Sequence, residues 1–320
     1  MKLGVFTVLF GQKPLDDLLD YFCQMGIEAV ELGVGNYPGS SHVPVKELLS
    51  SVKSRTEFLA KIKGRGLEIS ALSVHGNPLH PDKKVAKEHH QNWRNALKLA
   101  KLLKIGVVVT FSGCPGDSER ALAPNWVTCP WPEDFLRVLD WQWSKKIIPY
   151  WKAEAKQASN TGIRVAFEMH PGFVVYNPET MLRLRESCGK VLGCNFDPSH
   201  LFWQGIDPLR AVRELAGCIY HVHAKDTAVD AANTAVNGVL DTKHYGEELK
   251  RSWIFRTVGY GHGKDFWKAL VSELRLAGYD SVLSIEHEDS LMSTGEGFTK
   301  AVEFLKGVII REQPGKMHWA

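Results

Sequence analysis

The chain alternates short apolar runs with longer segments in which apolar residues recur at helical spacing. This alternation predicts eight strands separated by helices. The predicted strands are residues 2–10, 28–35, 67–74, 105–111, 163–167, 191–196, 218–222 and 280–285. The run at 105–111, IGVVVTF, has the continuous apolar character of a strand that is buried on both faces of a parallel sheet. Eight strands alternating with helices over this length predict an α/β fold, a single closed (β/α)8 TIM barrel.

The segments between the strands are mostly predicted to be helical. The predicted helices are residues 14–25, 45–63, 82–104, 133–160, 178–187, 207–215, 264–277 and 296–310. Pro149 is expected to kink or divide the fourth of them, because proline lacks a backbone N–H and its ring clashes with the preceding turn. Two long segments show no clear periodicity. Residues 112–132 are interpreted as a lid or wall of the site, and residues 225–263 as a long loop over it.

We expect one domain spanning residues 1–320. The sequence has 320 residues and 44% hydrophobic content, which suits one large barrel core, and no shift in composition marks a boundary. The polar tail at residues 311–320 is expected to run over the surface or onto a neighbouring subunit.

Charge and cysteine content narrow the range of partners. The 39 basic and 36 acidic residues are mixed along the whole chain, so no basic block is available to follow a nucleic acid backbone. The six cysteines form no CxxC pair, which favours reduced thiols and a cytoplasmic location. The apolar N-terminus is too short to span a membrane and lacks a cleavage site, so we interpret it as a strand and expect no membrane partner.

Four predicted strands in the second half of the chain end in a carboxylate or an imidazole. The residues at these ends are Glu168, Asp197, His223 and Glu286. Because the carboxyl ends of the strands of a closed parallel barrel meet at one mouth, we expect the four side chains to converge. One strand-end acid alone is more often a helix cap or a surface ion pair, but four in the same position favour a metal site. Three carboxylates and one imidazole suit Mn²⁺, Mg²⁺ or Co²⁺ better than a thiolate-seeking ion.

The motifs at these strand ends are FEMHP, NFDPSH, HVHAKD and SIEHED. They resemble the sugar phosphate isomerase/epimerase superfamily, whose fold is the xylose isomerase-like barrel and whose members include ketose 3-epimerases and inosose dehydratases. The catalytic subunits of C-glycoside deglycosidases also resemble this barrel. The resemblance extends from Gly4 to Lys306 and is most specific from Gly162 onward.

The resemblance implies roles for individual residues. It implies that Glu168, Asp197, His223 and Glu286 bind one divalent ion, with Mn²⁺ expected first and Mg²⁺, Co²⁺ or Zn²⁺ as alternatives. It implies that His200, three residues after Asp197, contacts substrate oxygens. Arg256, in FRTVGYGHG, is the nearest match to an arginine that holds the sugar in such enzymes.

The sequence departs from the ketose 3-epimerases at one position. Those enzymes carry a further substrate-binding glutamate six residues after the first metal ligand, where this chain has Val174. The HAKD motif around Lys225 is closer to the inosose dehydratases, which eliminate water. His170, two residues beyond Glu168, is an added imidazole that is predicted to compete for the role of base.

Several other side chains are expected at the same mouth. His75 is predicted either to contact substrate or to order its loop, and Glu31 either to contact substrate or to form an ion pair. Lys225 is predicted to polarise a substrate oxygen, although pairing with Glu168 or Glu286 explains it equally well. His221 is predicted to support His223 from the same side of the strand. The tryptophans predicted either to stack on a sugar or to pack within loops are Trp126, Trp131 and Trp203.

The leading functional hypothesis is a divalent-metal-dependent sugar isomerase or epimerase. Such chemistry begins when a base removes a proton from carbon next to a carbonyl, and the metal stabilises the enediolate that forms. Glu168 and Glu286 are predicted to act as an opposed ligand-and-base pair, with His170 as the competing base. The second hypothesis is a lyase that performs β-elimination on a 3-oxo sugar, inosose or C-glycoside. A barrel acting on abasic DNA is a remote third, and a catalytically silent sugar-binding barrel is a fourth.

The expected ligand is a small sugar or sugar derivative. An unphosphorylated sugar is slightly preferred, because the sequence has neither a P-loop nor a phosphate-binding glycine pair after the last two strands. A homo-oligomer is the ordinary expectation for the assembly, and a small separate partner subunit is compatible with the lyase hypothesis.

Overall fold

The computed structural model describes residues 1–317 and has a closed barrel of eight parallel strands at its centre. The described residues form ten strands: β1 (Lys2–Phe6), β2 (Ala29–Gly33), β3 (Glu68–Ser73), β4 (Val107–Thr110), β5 (Arg164–Glu168), β6 (Leu192–Phe196), β7 (Ile219–Ala224), β8 (Asp226–Val229), β9 (Trp253–Arg256) and β10 (Val282–Ile285). Eight of them form the barrel in the order β1-β10-β7-β6-β5-β4-β3-β2, closed by pairing of β1 with β2, and β8 and β9 form a separate pair. The predicted (β/α)8 TIM barrel is confirmed.

Helices separate consecutive barrel strands, as the helical periodicity predicts. They are α1 (Leu15–Gln24), α2 (Val45–Ser50), α3 (Val52–Lys63), α4 (Lys83–Leu103), α5 (Asp134–Trp141), α6 (Ile148–Thr161), α7 (Pro178–Cys188), α8 (Ser199–Phe202), α9 (Pro208–Glu214), α10 (Ala231–Asn237), α11 (Lys264–Leu276) and α12 (Thr294–Lys306). Four fully buried tryptophans fill the layer between helices and barrel, namely Trp93, Trp143, Trp151 and Trp267. One of them, Trp151, donates from its indole to the carbonyl of Ser112 at 2.7 Å and so fixes the start of the loop after β4.

Two predicted helices are divided in the structure. The segment predicted at 45–63 breaks at Ser51, whose extended backbone ends α2 and whose hydroxyl accepts from the Ser54 N–H at 3.1 Å to begin α3. The segment predicted at 133–160 consists of α5, a π-helical stretch at Gln142–Ile147, and α6, in which Pro149 is the second residue. Proline there confirms the expected division, since the first turn of a helix tolerates the missing N–H.

The segment at residues 225–263 contains more regular structure than the predicted long loop. β8 and β9 pair antiparallel, with Asp226 opposite Arg256 and Val229 opposite Trp253, and α10 lies between them in sequence. These strands have four residues each, which is too short for a recognisable alternation in the sequence. The segment does lie over the barrel mouth, because its residues Tyr245 and Phe255 line the cleft there.

The tail lies against the amino-terminal end of the barrel as far as the structure describes it. The carbonyl of Glu312 accepts from Arg275 at 2.7 Å, and the amide of Gln313 donates to Asp280 at 2.8 Å. This end of the barrel is opposite the mouth, so the described part of the tail does not reach the candidate site. The predicted contact of residues 311–320 with a neighbouring subunit stays a prediction, and residues 318–320 lie outside the described residues.

All six cysteines are free thiols, in agreement with the prediction of reduced side chains. Within residues 1–317, the structure has no helix that combines the length and the apolar character of a membrane span.

Candidate metal centre and active site

Four side chains from neighbouring barrel strands converge at the carboxyl end of the barrel. Glu168 ends β5, Asp197 follows β6, His223 lies near the end of β7, and Glu286 follows β10. One ligand atom of each residue lies within 4.8 Å of the corresponding atoms of the other three. His223 Nδ1 is 3.3 Å from Glu168 Oε2 and 3.1 Å from Glu286 Oε2. The structure therefore brings together the four residues that the sequence places at one mouth.

The chemistry of this cluster fits a divalent cation. Asp197 Oδ2, His223 Nδ1 and Glu286 Oε2 are buried and make no well-aligned hydrogen bond in the described part of the chain, although buried polar atoms in proteins normally make one; their near neighbours include one another and the ammonium group of Lys225. Carboxylate oxygens and an imidazole nitrogen are the donors that divalent ions such as Mn²⁺, Mg²⁺ and Zn²⁺ take. These atoms indicate that the four residues can together hold a divalent ion. They do not identify the ion.

Glu31 orients His223 from inside the barrel. The carboxylate of Glu31 accepts from His223 Nε2 at 3.0 Å, so the other ring nitrogen, Nδ1, faces Glu168 and Glu286. Hydroxyl groups of Ser73 and Ser284 also donate to Glu31. Burial by itself raises the pKa of Glu31, but the imidazoles of His223 and His221 overcome it and lower the pKa to about 2. This is the arrangement in which a carboxylate fixes the tautomer of a metal-binding histidine.

Glu168 is held by two histidines that the sequence assigns to substrate. His75 Nε2 lies 3.0 Å from Glu168 Oε2, and His200 Nε2 lies 3.1 Å from Glu168 Oε1. Burial opposes ionisation, but hydrogen bonds from His200, His223 and His75 keep the pKa of Glu168 well below its usual range. Both histidines therefore position the carboxylate of Glu168, a candidate ligand. Their predicted substrate contacts stay predictions.

Lys225 is a buried cation among three carboxylates. Its Nζ lies 2.9 Å from Glu286 Oε2, 3.2 Å from Asp197 Oδ2 and 3.0 Å from Glu288 Oε2. Burial lowers the pKa of a lysine, but these carboxylates raise the pKa of Lys225 well above its usual range. The pairing with glutamate that the sequence offers as an alternative for Lys225 is present.

The pKa values of two candidate ligand carboxylates, Asp197 and Glu286, are shifted in opposite directions. Burial, only partly offset by Lys225, raises the pKa of Asp197 to about 6, and the charges of Glu168 and Glu286 add to the rise. The pKa of Glu286 is lowered, because Lys225 and His223 outweigh the effect of burial there. His223, whose Nδ1 lies 3.1 Å from Glu286 Oε2, lowers the pKa of Glu286 more than that of Asp197. The cluster carries more negative charge than Lys225 alone neutralises, and this excess favours binding of a further cation.

His170 is the imidazole that faces the open cleft. It lines each of three adjoining cavities above the cluster, which have volumes of about 420, 240 and 300 Å³. Its Nδ1 lies 2.6 Å from the carbonyl of Pro171, so Nδ1 donates and Nε2 keeps its lone pair. Burial, together with the charge of His200, lowers the pKa of His170 to about 4. His170 is therefore a neutral proton acceptor near neutral pH.

Other predicted site residues lie farther from the cluster. Arg256 donates to Asp289 at 3.1 Å and packs over Tyr260, and it does not line the three cavities above the cluster. Trp131 is 75% exposed, whereas Trp126 and Trp203 line the cleft.

The ring of His221 lies edge-on to that of His223, with centroids 5.6 Å apart. His221 Nδ1 lies 3.1 Å from Asn195 Oδ1 and its Nε2 lies 3.7 Å from Glu31, the carboxylate that also bonds to His223.

Sequence reasoning missed several residues of the cleft. Glu288 pairs with Lys225, and its position two residues after Glu286 on the same strand end is the signal that was available. Tyr245 and Phe255 line the cleft but lie in a segment with no periodicity to place them.

Comparison with known proteins gives a family match over most of the chain. The family described as "Xylose isomerase-like TIM barrel" matches residues 19–308. The chain is 38% identical over 312 residues to the protein named "Uncharacterized protein YfiH" of Bacillus subtilis (strain 168), covering 97% of this chain and 99% of that one. It is 26% identical over 152 residues to the inosose dehydratase of Geobacillus thermodenitrificans (strain NG80-2), which covers 47% of this chain and 49% of that one.

Solved structures share the fold at low identity. The probable 3-DHS dehydratase AsbF of Bacillus anthracis has a TM-score of 0.65 at 16% identity, with 96% of this chain and 99% of that chain covered. A D-tagatose 3-epimerase-like protein has a TM-score of 0.63 at 21% identity, with 96% and 98% covered. The IolI protein, solved with a bound zinc atom, has a TM-score of 0.63 at 16% identity, with 97% and 98% covered.

Proposed function

The chain belongs to the xylose isomerase-like TIM barrel family, and from that premise we propose that it is a divalent-metal-dependent sugar isomerase or epimerase. The proposed reaction begins with removal of a proton from carbon next to a carbonyl. The observation that carries the proposal is the cluster of three carboxylates and one imidazole, whose poorly paired buried atoms lie beneath an open cleft.

We propose that Glu168, Asp197, His223 and Glu286 hold the cation. When bound there, a divalent ion supplies Lewis-acid polarisation of a carbonyl and stabilises the negative charge that develops beside it. We expect Mn²⁺, given the carboxylate-rich donor set, with Mg²⁺, Co²⁺ and Zn²⁺ as alternatives. The zinc atom in the IolI structure supports a divalent ion in this fold and leaves its identity in this chain open.

The remaining steps are assigned to the chain's own side chains. Glu168 and Glu286 both line the cavity of about 300 Å³ at the cluster, so each is placed to exchange a proton with a substrate bound there. His170 offers a neutral Nε2 in the cleft and is the competing base. Lys225 is proposed to donate a hydrogen bond to a substrate oxygen, since it lines the same cavity as Glu168 and Glu286.

Elimination of water is a second candidate function. It is favoured by Val174, which takes the place of a substrate-binding glutamate and lies buried outside the three cavities above the cluster. The partial similarity to an inosose dehydratase also supports it. Both candidates share the first proton removal and differ only in the later steps.

Incubation of the Mn²⁺-loaded protein with free and 3-oxo sugars in D₂O tests the proposal. We expect deuterium at the carbon next to the carbonyl in a recovered or isomerised sugar, measured by NMR and mass spectrometry. An unsaturated product lacking one water would instead establish elimination. Chelation and Glu286→Gln are both expected to stop the exchange, because each removes part of the proposed metal centre. Exchange that survives both changes, or no reaction with any sugar tested, would refute the proposal.

A further inference from the structure

The cleft beside the metal cluster has a wall of stacked aromatic side chains. The rings of Trp203 and Trp253 stack with centroids 4.6 Å apart and planes 5° from parallel. Phe255 packs against Trp253 at 5.2 Å, and Tyr245 stacks on Phe255 at 5.8 Å. With Trp126 and Leu240, these residues line a cavity of about 240 Å³.

This aromatic cavity is continuous with the proposed reaction centre. His170 lines both the cavity and the space next to the cluster, His200 lines the cavity and bonds to Glu168, and the ring of Phe255 lies 5.4 Å from that of His200. The ammonium group of Lys225 lies 4.8 Å from the centre of the Phe255 ring. A ligand that places a reacting carbon at the cluster therefore extends its neighbouring group directly onto the aromatic wall.

Arg251 holds the wall in place from behind. Its guanidinium carbon is 4.5 Å from the ring centre of Tyr245 and 4.6 Å from that of Trp253. The Arg251 side chain is 2% exposed, and its Nε donates to the carbonyl of Trp253 at 3.1 Å. Cation–π contacts of a buried guanidinium fix the orientation of both rings. The wall is thus ordered before a ligand arrives, which lowers the entropy cost of binding.

Some polar groups around this cavity have partners within the chain, but the indole N–H groups of Trp126 and Trp203, which also line it, are buried without one among the described residues. The Asp241 carboxylate accepts from the Ser252 N–H at 2.6 Å and from Lys243 at 3.0 and 2.8 Å. His200 bonds to Glu168, and His170 Nδ1 bonds to Pro171. Aromatic and aliphatic side chains make up most of the lining, so few partners are available for the several hydroxyls of a buried sugar ring, whereas an aromatic ring needs none.

We propose that the aromatic cavity binds an aromatic ring attached to the sugar that reacts at the cluster. The substrate class is then a sugar linked to an aromatic group, rather than a free monosaccharide. The placement of the sugar part of this ligand rests on the proposed function. The placement of its aromatic part rests on the aromatic wall alone.

Binding without turnover tests the inference independently of the reaction. The probes are phenyl β-D-glucopyranoside, methyl β-D-glucopyranoside and methyl β-cellobioside, titrated by calorimetry into the Mn²⁺-loaded full-length protein. We expect the phenyl glucoside to bind on the order of tenfold more tightly than the methyl glucoside, as ring stacking at such a wall provides. Tyr245→Ala is expected to remove this preference, and Tyr245→Phe to retain it, because the ring and not the hydroxyl makes the contact.

Tyr245 is 53% exposed, so its replacement leaves the folded core intact. Tyr260→Ala, at a tyrosine 43% exposed outside the three cavities, serves as the control and is expected to keep the preference. Equal affinities for the phenyl and methyl glucosides, no binding of the phenyl glucoside, or tighter binding of the cellobioside overturns the inference. If deuterium exchange fails but the phenyl glucoside still binds more tightly in a way that depends on Tyr245, the proposed reaction is wrong and the aromatic subsite stands.

Discussion

Asp197→Asn is expected to lower the affinity for Mn²⁺ by at least about 100-fold. Loss of a residue that only supports a metal ligand typically weakens metal binding 10- to 100-fold, and loss of a direct ligand should weaken it by at least as much. Asparagine keeps the shape of the side chain but removes the charge from Oδ2, one of the three poorly paired buried atoms of the cluster. The rate of deuterium exchange should fall by about three orders of magnitude, since the developing negative charge loses its stabilisation.

Isothermal titration with Mn²⁺ and elemental analysis of the purified variant measure this effect. Asp117→Asn is a matched control, because Asp117 is an exposed aspartate in the loop after β4 whose neighbour Ser118 is its hydrogen-bond partner. The control should bind the metal as the unaltered protein does. Normal metal content in Asp197→Asn would remove Asp197 from the proposed ligand set.

Asp226→Ala is expected to produce the second large effect, a loss of stability. Asp226 is fully buried, and its carboxylate accepts from the backbone N–H groups of Gly259, Gly261 and His262 at 2.8–3.2 Å. It also accepts from His262 Nδ1 and from the indole of Trp267. Removing the carboxylate leaves these buried donors unpaired, and we expect the free energy of unfolding to fall by about 4 kcal/mol.

The loop that Asp226 holds packs closely on β8 at Gly261. A Cβ atom on Gly261 would lie 2.3 Å from the carbonyl oxygen of Thr227 and 2.5 Å from Asp226 Oδ1, so the loop approaches β8 too closely to admit another side chain.

Urea denaturation followed by circular dichroism measures the change in the free energy of unfolding. Asp230→Ala is the control, because Asp230 caps the exposed helix α10 with one bond to the Asn233 N–H, and a lost cap costs about 1 kcal/mol. A loss below about 1 kcal/mol for Asp226→Ala would mean that water replaces the carboxylate and that the loop is not pinned by it.

The sequence predicts the barrel and the convergence of four ligands for the same reason. Buried parallel strands give continuous apolar runs, and parallel closure puts every strand end at one mouth, so strand ends alone locate Glu168, Asp197, His223 and Glu286. No knowledge of register is needed for that step.

The support of the cluster depends on register and could not be predicted. Glu31 lies on β2 and His223 on β7, and they meet inside the barrel beside Ser284 of β10. Which inward-facing side chains share a layer depends on the stagger of the strands, which the sequence of any one strand does not encode.

Arg256 illustrates the limit of similarity between motifs. The resemblance assigns it to a substrate, but the short pairing of β8 with β9 directs its guanidinium to Asp289 in this structure. A four-residue strand has too few alternating positions to show from sequence which way such a side chain points.

Anomalous diffraction from crystals of the Mn²⁺-loaded protein tests the central claim most directly. We predict one strong peak at the barrel mouth, about 2.0–2.3 Å from oxygens of Glu168, Asp197 and Glu286 and from His223 Nδ1, which are ordinary lengths for such bonds. A peak elsewhere, or a cluster without a peak under saturating Mn²⁺, would contradict the assignment of these four residues as the metal centre.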